Sequence, residues 1–167
     1  MVLTKAELIS SLQKEVRILL HLVTKIDRTN LDYRPTPKQR STLELLRYLA
    51  MMGPNLVQAA KASGFDPAKW TAMQKDLEAK SFDQVVDVIA ASADQYTTLI
   101  GDMSEDDFRV EIEMFGRKAT RGSFLVNTVL SGYAAYRTQL FLYLKSCGRE
   151  ELNEMNLWAG MDPTPAN

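Results

Sequence analysis

Apolar side chains recur along most of this chain at alternating steps of three and four, the spacing of helices packed nearly parallel to one another. Thr4 followed by Glu7 has the form of a capping box, in which hydroxyl and carboxylate each satisfy an orphan N–H at a helix start. A first helix is predicted from there, with Ile9, Leu12, Val16, Leu19, Val23 and Ile26 on its seam. His21 falls off that seam, one turn from both Arg17 and Lys25, so its expected neighbours are cations. Residues 27–40 are polar, carry Pro35 and Pro37, and read as an irregular connection. Ser41 and Glu44 form a second box, opening a helix to about Ala62 with Leu45, Leu49, Met52 and Leu56 on one face. Gly53-Pro54 inside it predicts a kink, because an interior proline removes a hydrogen bond at a cost of ~3 kcal/mol.

Ser63 to Asp66 reads as a break before a short amphipathic piece with Trp70 and Met73. Ser81 then caps a third helix, about Phe82 to Met103, presenting Val85, Val88, Ile89, Tyr96 and Leu99, with Ser92 in the same stripe. The period next changes to two: Phe108, Val110, Ile112 and Met114 alternate with charged residues, Gly116 supplies a turn, and Ala119 to Arg121 pair back as a second strand. A fourth helix starts near 120–123 and runs to about Ser146, with Val126, Val129, Tyr133, Tyr136, Leu140 and Leu144 buried and Gly148 at its C-terminal cap. The tail, 149–167, carries Leu152, Met155, Leu157 and Trp158 and is expected to pack on the surface. The pattern as a whole predicts one mainly α domain over 1–167, a four-helix bundle with a small β-hairpin between helices 3 and 4.

Composition narrows the chemistry. The 167 residues carry 20 basic and 21 acidic side chains, a net charge of -1, so no global positive field is available to collect nucleic acid or anionic lipid. No stretch approaches the roughly 18 apolar residues of a membrane span, and the N-terminal segment lacks the pattern of a leader, which predicts a cytoplasmic protein. Cys147 is the one cysteine and His21 the one histidine. An intrachain disulfide, a thiolate cluster and a histidine-based metal site within one chain are thereby excluded, and neither a phosphate-binding glycine loop nor a nucleophile elbow is present.

What the bundle stripes do offer is aromatic. Tyr133 and Tyr136 lie on helix 4, with Gly132 one turn before Tyr136. A mid-helix glycine costs about 1 kcal/mol against alanine, so a neighbour that needs the space is expected, and Tyr48 on helix 2 is the candidate. These residues, with Arg137 beside the stripe as an anchor for an anionic group, form a candidate pocket; packed tyrosines and an edge arginine in a salt bridge are the alternative. Two basic loops, Arg28, Arg34, Lys38 and Arg40 and then Arg117, Lys118 and Arg121, could attract a small anion if both lay at one bundle end. Cys147 sits at a helix C-terminus, where the dipole does not favour a thiolate.

Three runs, Leu31-Asp-Tyr-Arg-Pro-Thr-Pro-Lys, Ser41-Thr-Leu-Glu-Leu-Leu-Arg-Tyr-Leu-Ala and Tyr136-Arg-Thr-Gln-Leu, taken in that order, resemble the DinB/YfiT-like superfamily. The resemblance implies a four-helix bundle of this length with a long connection between helices 2 and 3, often dimeric. In its metal-bearing members it implies a divalent ion held by one histidine on helix 2 and two on helix 4, serving a hydrolase or a thiol-dependent transferase. Matched residue by residue, those positions correspond to Tyr48, Gly132 and Tyr136, followed by Arg137 and Gln139. The ending Asn156-Leu-Trp-Ala-Gly-Met-Asp-Pro resembles members with Tyr-Arg in place of His-Arg. The expectation is thus a DinB-like protein with no metal or other cofactor, in which a phenol of Tyr48 or Tyr136 fills the space at Gly132. It would be small-molecule-binding or stress-associated, with a homodimer as the expected assembly. Two other readings stand beside it. One is a hydrolase or thiol-dependent transferase of the DinB/YfiT type with non-standard or no metal ligands, using a Tyr48 or Tyr136 hydroxyl as acid and Arg137 to hold an anion; the other is a helical interaction module whose surface includes Trp158.

Overall fold

The computed structural model describes residues 3–164. Both predicted capping boxes form, and the helices they open are α1 (Lys5–Val23) and α2 (Thr42–Lys61). Between them, a single turn at Arg28–Asn30 and an irregular stretch are stapled to the start of α2: Thr42 N–H donates to the Tyr33 carbonyl and Leu43 N–H to that of Leu31. The expected kink at Gly53-Pro54 does not interrupt α2, which runs helical through the pair with both residues buried.

The short amphipathic piece is a three-turn helix, α3 (Pro67–Glu78), started by Asp66 with Pro67 in its first turn. A third capping box at Ser81 opens α4 (Phe82–Gly101). Its end comes two residues before the expected Met103, where Lys5 Nζ donates to the carbonyls of Gly101 and Met103. The alternation that starts at Phe108 is a strand only in part. Ser104 and Asp107 make a fourth capping box, and local capping wins over the two-residue repeat to give α5 (Glu105–Arg109). The antiparallel hairpin is therefore β1 (Glu111–Met114) and β2 (Arg117–Thr120), in register Glu111 to Thr120, with Phe115 and Gly116 at positive φ in its turn. Ile112 and Met114 face the core. Arg121 belongs to the next helix rather than to the strand.

The fourth long helix is not uniform. It begins as α6 (Arg121–Phe124), widens into a π-helical stretch at Leu125–Leu130, and continues as α7 (Ser131–Ser146). In the wide stretch Ser131 N–H reaches back five residues to the Val126 carbonyl, and the Ser131 hydroxyl donates to the same oxygen at 3.0 Å. The extra residue shifts the buried stripe to steps of four: Leu125, Val129, Tyr133 and Arg137 face inward. Val126 and Tyr136, expected on that stripe, are only half-buried for this reason.

The core lies between α1, α2, α4 and the α6–α7 helix, with α4 packed on both α1 and α2. On α1 the seam is Leu8, Leu12, Val16, Leu19 and Leu22, with Ile18 and Val23 also buried; Ile9 and Ile26 sit at the edge. On α4, Val85, Ile89, Ser92 and Tyr96 are buried, whereas Val88 and Leu99 are at the margin; the Ser92 hydroxyl bonds back to the Ile89 carbonyl at 2.6 Å. Past α7 the tail turns back over α1, with a second short π-helical turn at Met155–Ala159. There Asn156 Nδ2 lies 3.0 Å from His21 Nε2 and donates to Asp162, which also pairs with Lys25. His21 is thus covered by the tail rather than facing cations alone. Among the described residues no helix is long and apolar enough to cross a membrane.

Candidate functional site

The residues expected to line a pocket separate into four environments. Tyr48 of α2 and Tyr136 of α7 do meet, ring edge against ring face with centroids 4.8 Å apart. The Arg40 guanidinium lies 4.1 Å from the centre of the Tyr48 ring, and Trp70 of α3 closes another side at 6.2 Å. Burial, and then the neighbouring Tyr136 phenol, push the Tyr48 hydroxyl well above its ordinary range, with Arg40 opposing more weakly. The shift favours the neutral phenol over the phenolate at Tyr48.

Gly132 is not beside Tyr48 in the way its spacing suggested. A Cβ there would lie 3.2 Å from the sulfur of Met52, one turn further along α2 than Tyr48. Met52, fully buried, is the neighbour that needs the space.

Tyr133 points into the core instead of a pocket. Its hydroxyl shares a 2.6 Å hydrogen bond with that of Tyr96 on α4, and both rings are fully buried. This pair rests on Gly53: a Cβ there would fall 1.9 Å from the Tyr96 oxygen and 2.4 Å from that of Tyr133. Burial holds both phenols well above their ordinary range. The close approach that the glycine spacing implied at Gly132 is more severe at Gly53.

Arg137 is buried and fully engaged. Its Nε donates to Glu15 of α1 at 2.5 Å, Nη1 donates to the Leu157 carbonyl of the tail, and the Trp158 ring lies 5.4 Å from the guanidinium. With 4% and 12% of the two side chains exposed, this is an interior ion pair under the tail, not an anchor for an incoming anion. Arg121, read as part of a basic loop, is likewise buried, donating to the carbonyls of Ala60 and Asp107 and to the Ser63 hydroxyl. The two basic loops sit at opposite ends of the bundle. The first adjoins the starts of α2 and α4, where Arg28 pairs with Asp83, and the second adjoins the end of α2. They do not combine into one anion site. Burial, then Asp27, push the Cys147 thiol up, consistent with an unreactive cysteine.

An open cleft of about 300 Å³ lies on the other side of Tyr48, between the first half of α2 and α3. Met51, Tyr48 and Trp70 give it apolar walls, and Arg40 and Arg47 bring two guanidiniums to it. Neither arginine has a carboxylate within ion-pair distance among the described residues; Arg47 Nη2 donates to the Lys80 carbonyl at 2.9 Å, while its Nε is buried with no partner. Sequence reasoning found Tyr48 but missed Arg47 and Trp70. The signal was there in the i, i+3, i+4, i+7 spacing of Glu44, Arg47, Tyr48 and Met51, one face of α2, opposite Trp70, Met73 and Leu77 on one face of α3.

At the positions that the resemblance assigns to metal ligands, this chain brings together two phenols and, against Gly132, a thioether. Neither phenol nor thioether is among the usual donors to a divalent ion of this kind, which takes imidazole, carboxylate or thiolate. Among the described residues no group of three or more histidine, cysteine, aspartate or glutamate side chains is placed to hold a metal.

No family model matches the sequence, and no curated protein matches it. A solved structure does: that of a DinB-like protein, YjoA, from Bacillus subtilis, 18% identical, with the match covering 87% of this chain and 94% of that one at a TM-score of 0.68. At such identity the likeness is one of fold. Taken with the four packed helices and the hairpin before the last of them, it shows that this chain has the DinB-like fold.

Proposed function

We propose that this chain is a small-molecule-binding protein of DinB-like fold that works without a bound metal, its ligand entering the cleft between α2 and α3. The observation that carries this reading is the filling of the assigned metal position. Met52 packs against Gly132 and the Tyr48 and Tyr136 rings close on each other, so the space a metal and its water would need is taken by side chains. The cleft beside Tyr48 stays open, at the lower end of the roughly 300–1,000 Å³ typical of small-molecule sites. Two observations favour binding over catalysis: burial makes Tyr48 a weaker acid than free tyrosine, and Arg137 is committed to Glu15. A cytoplasmic location and a second copy of the chain as partner belong to the same proposal. The exposed Met155, Trp158 and Met161 of the tail, together with Leu142 of α7, favour such a partner.

The test is metal content and titration. Elemental analysis of chain purified without chelator should give far less than one ion per chain, and zinc or nickel titration should give no heat. The variant Y48H/G132H/Y136H carrying M52A, which removes the thioether from the path of the new side chain, should gain affinity for either ion. One tightly held ion per wild-type chain would overturn the proposal, and no gain in the variant would show that the three positions were wrongly matched.

A further inference from the structure

Resting on the reading of the α2–α3 cleft as a ligand site, we infer that its ligand is a small aromatic anion, a flat apolar ring bearing a carboxylate or a group of like charge. The walls select the ring. Trp70 and Tyr48 stand edge to face on one side, and Met51 of α2 lies in the same lining, a thioether that adapts to the outline of whatever sits on it.

The charge is selected by what the cleft's ionic groups already do. Two carboxylates and two guanidiniums line it, so it has no net charge of its own, but the two signs are not equally occupied. Glu44 accepts from the Ser41 N–H at the start of α2 and stands 3.3 Å from Arg34, and Glu78 accepts from Gln74 on its own helix. Among the described residues neither arginine has a carboxylate within ion-pair distance, and Arg47 acts on Glu44 only weakly, through space. Arg40 is exposed and lies over the Tyr48 ring, which leaves the edges of its guanidinium for hydrogen bonding. Arg47 uses one donor on the Lys80 carbonyl, and its Nε–H is buried with nothing to receive it. A buried charged donor left unpaired is costly, and two planar guanidiniums beside the apolar walls of one cleft match the planar oxygens of a carboxylate. The volume of about 300 Å³ limits the ligand to one or two fused rings.

The chain's two tryptophans give the assay: Trp70 lines the cleft and Trp158 lies on the tail. The two indole N–H signals in proton–nitrogen correlation spectra, assigned with W158F, are followed during titration with naphthoate, with naphthamide of the same ring substitution, and with acetate. Naphthoate should shift the Trp70 signal saturably and leave that of Trp158 in place. Naphthamide, of the same shape without the charge, should bind weaker by about tenfold, the loss of a charge-assisted hydrogen bond, and acetate should give no saturable shift. R40M, at an exposed position where folding is not at stake, and R47M, checked for an unchanged melting temperature, should each weaken naphthoate by about the same factor, and R117M at the far end should not. Equal binding of naphthoate and naphthamide, or naphthoate affinity unchanged in both R40M and R47M, overturns the anionic ligand while leaving a neutral-ligand cleft. No Trp70 shift with either ring compound overturns the aromatic anion outright. The metal measurements above are independent of both outcomes, so failure of the ligand class and failure of the metal-free reading are read separately.

Discussion

Replacing Gly53 by alanine probes the tightest of the glycine contacts among the described residues. On helix propensity alone, G53A should stabilise α2 by about 1 kcal/mol. The structure gives the opposite sign. The new methyl would fall 1.9 Å from the Tyr96 oxygen, 2.4 Å from the Tyr133 oxygen and 2.7 Å from a Tyr133 ring carbon, distances at which something must move. The two phenols cannot retreat freely, because both rings are fully buried and joined by their 2.6 Å hydrogen bond. Overpacking in a filled core costs about 1–3 kcal/mol, and a buried hydroxyl forced away from its partner costs about 1–3 kcal/mol more. Set against the propensity gain, the net loss is about 3 kcal/mol, or a fall in melting temperature of roughly 6–12 °C for a chain of this size. Thermal and urea unfolding followed by circular dichroism would measure it, with coincident transitions by fluorescence as the check on two-state behaviour. The same substitution in a Y96F/Y133F background removes both oxygens from the path of the methyl and should cost about 1–2 kcal/mol less, a coupling that a mutant cycle reads directly. A neutral or stabilising G53A, or an equal cost in the two backgrounds, would refute the reasoning.

E15Q keeps a hydrogen-bonding partner for Arg137 but leaves its charge buried beneath the tail, and should destabilise by about 3–5 kcal/mol in chemical denaturation; a cost under about 1 kcal/mol would mean that the pair is solvated. Burial first, and then Lys25, lower the proton affinity of His21, with Asp162 opposing, so the unfolded chain binds its proton more readily than the folded one. Stability should therefore fall as pH drops through about 6.5 and level off below the lowered folded value, and H21Q should flatten that part of the profile, measured as urea midpoints between about pH 5 and 7.5. Light scattering on a sizing column should give twice the chain mass of 18.8 kDa, and W158D should return it to one; a wild-type monomer would remove the tail from consideration as a contact between copies.

Capping carried most of the fold into view, since Thr4, Ser41 and Ser81 each place a helix start by side-chain chemistry that is wholly local. Ser104 with Asp107 carried the same signal, but the alternation of Phe108 to Met114 masks it, so the strand was expected too early. The π-helical stretch leaves no mark in a pattern of apolar residues until the partners of each face are known. Reading α-helical phase through Leu125–Leu130 therefore placed Tyr136 inward and Arg137 at the edge, when the reverse holds. Site residues followed the same division. Tyr48 and Tyr136 were legible because ring packing follows from helix face, whereas the partner of Gly132 depended on the offset between α2 and α7 and proved to be Met52. The cleft required α3 to lie against α2, a tertiary fact that spacing within either helix does not contain.

The tail's hold on Arg137 has a bearing on the order of assembly. Trp70 touches Tyr48 and Phe65, residues close to it in sequence, so its surroundings are complete once α2 and α3 meet. Trp158 stacks on a guanidinium whose partner, Glu15, lies 122 residues away from it, so its surroundings exist only after the first and last long helices are side by side. In refolding followed by fluorescence, the Trp70 environment should therefore form before that of Trp158, the one reporting a local event and the other closure of the whole bundle.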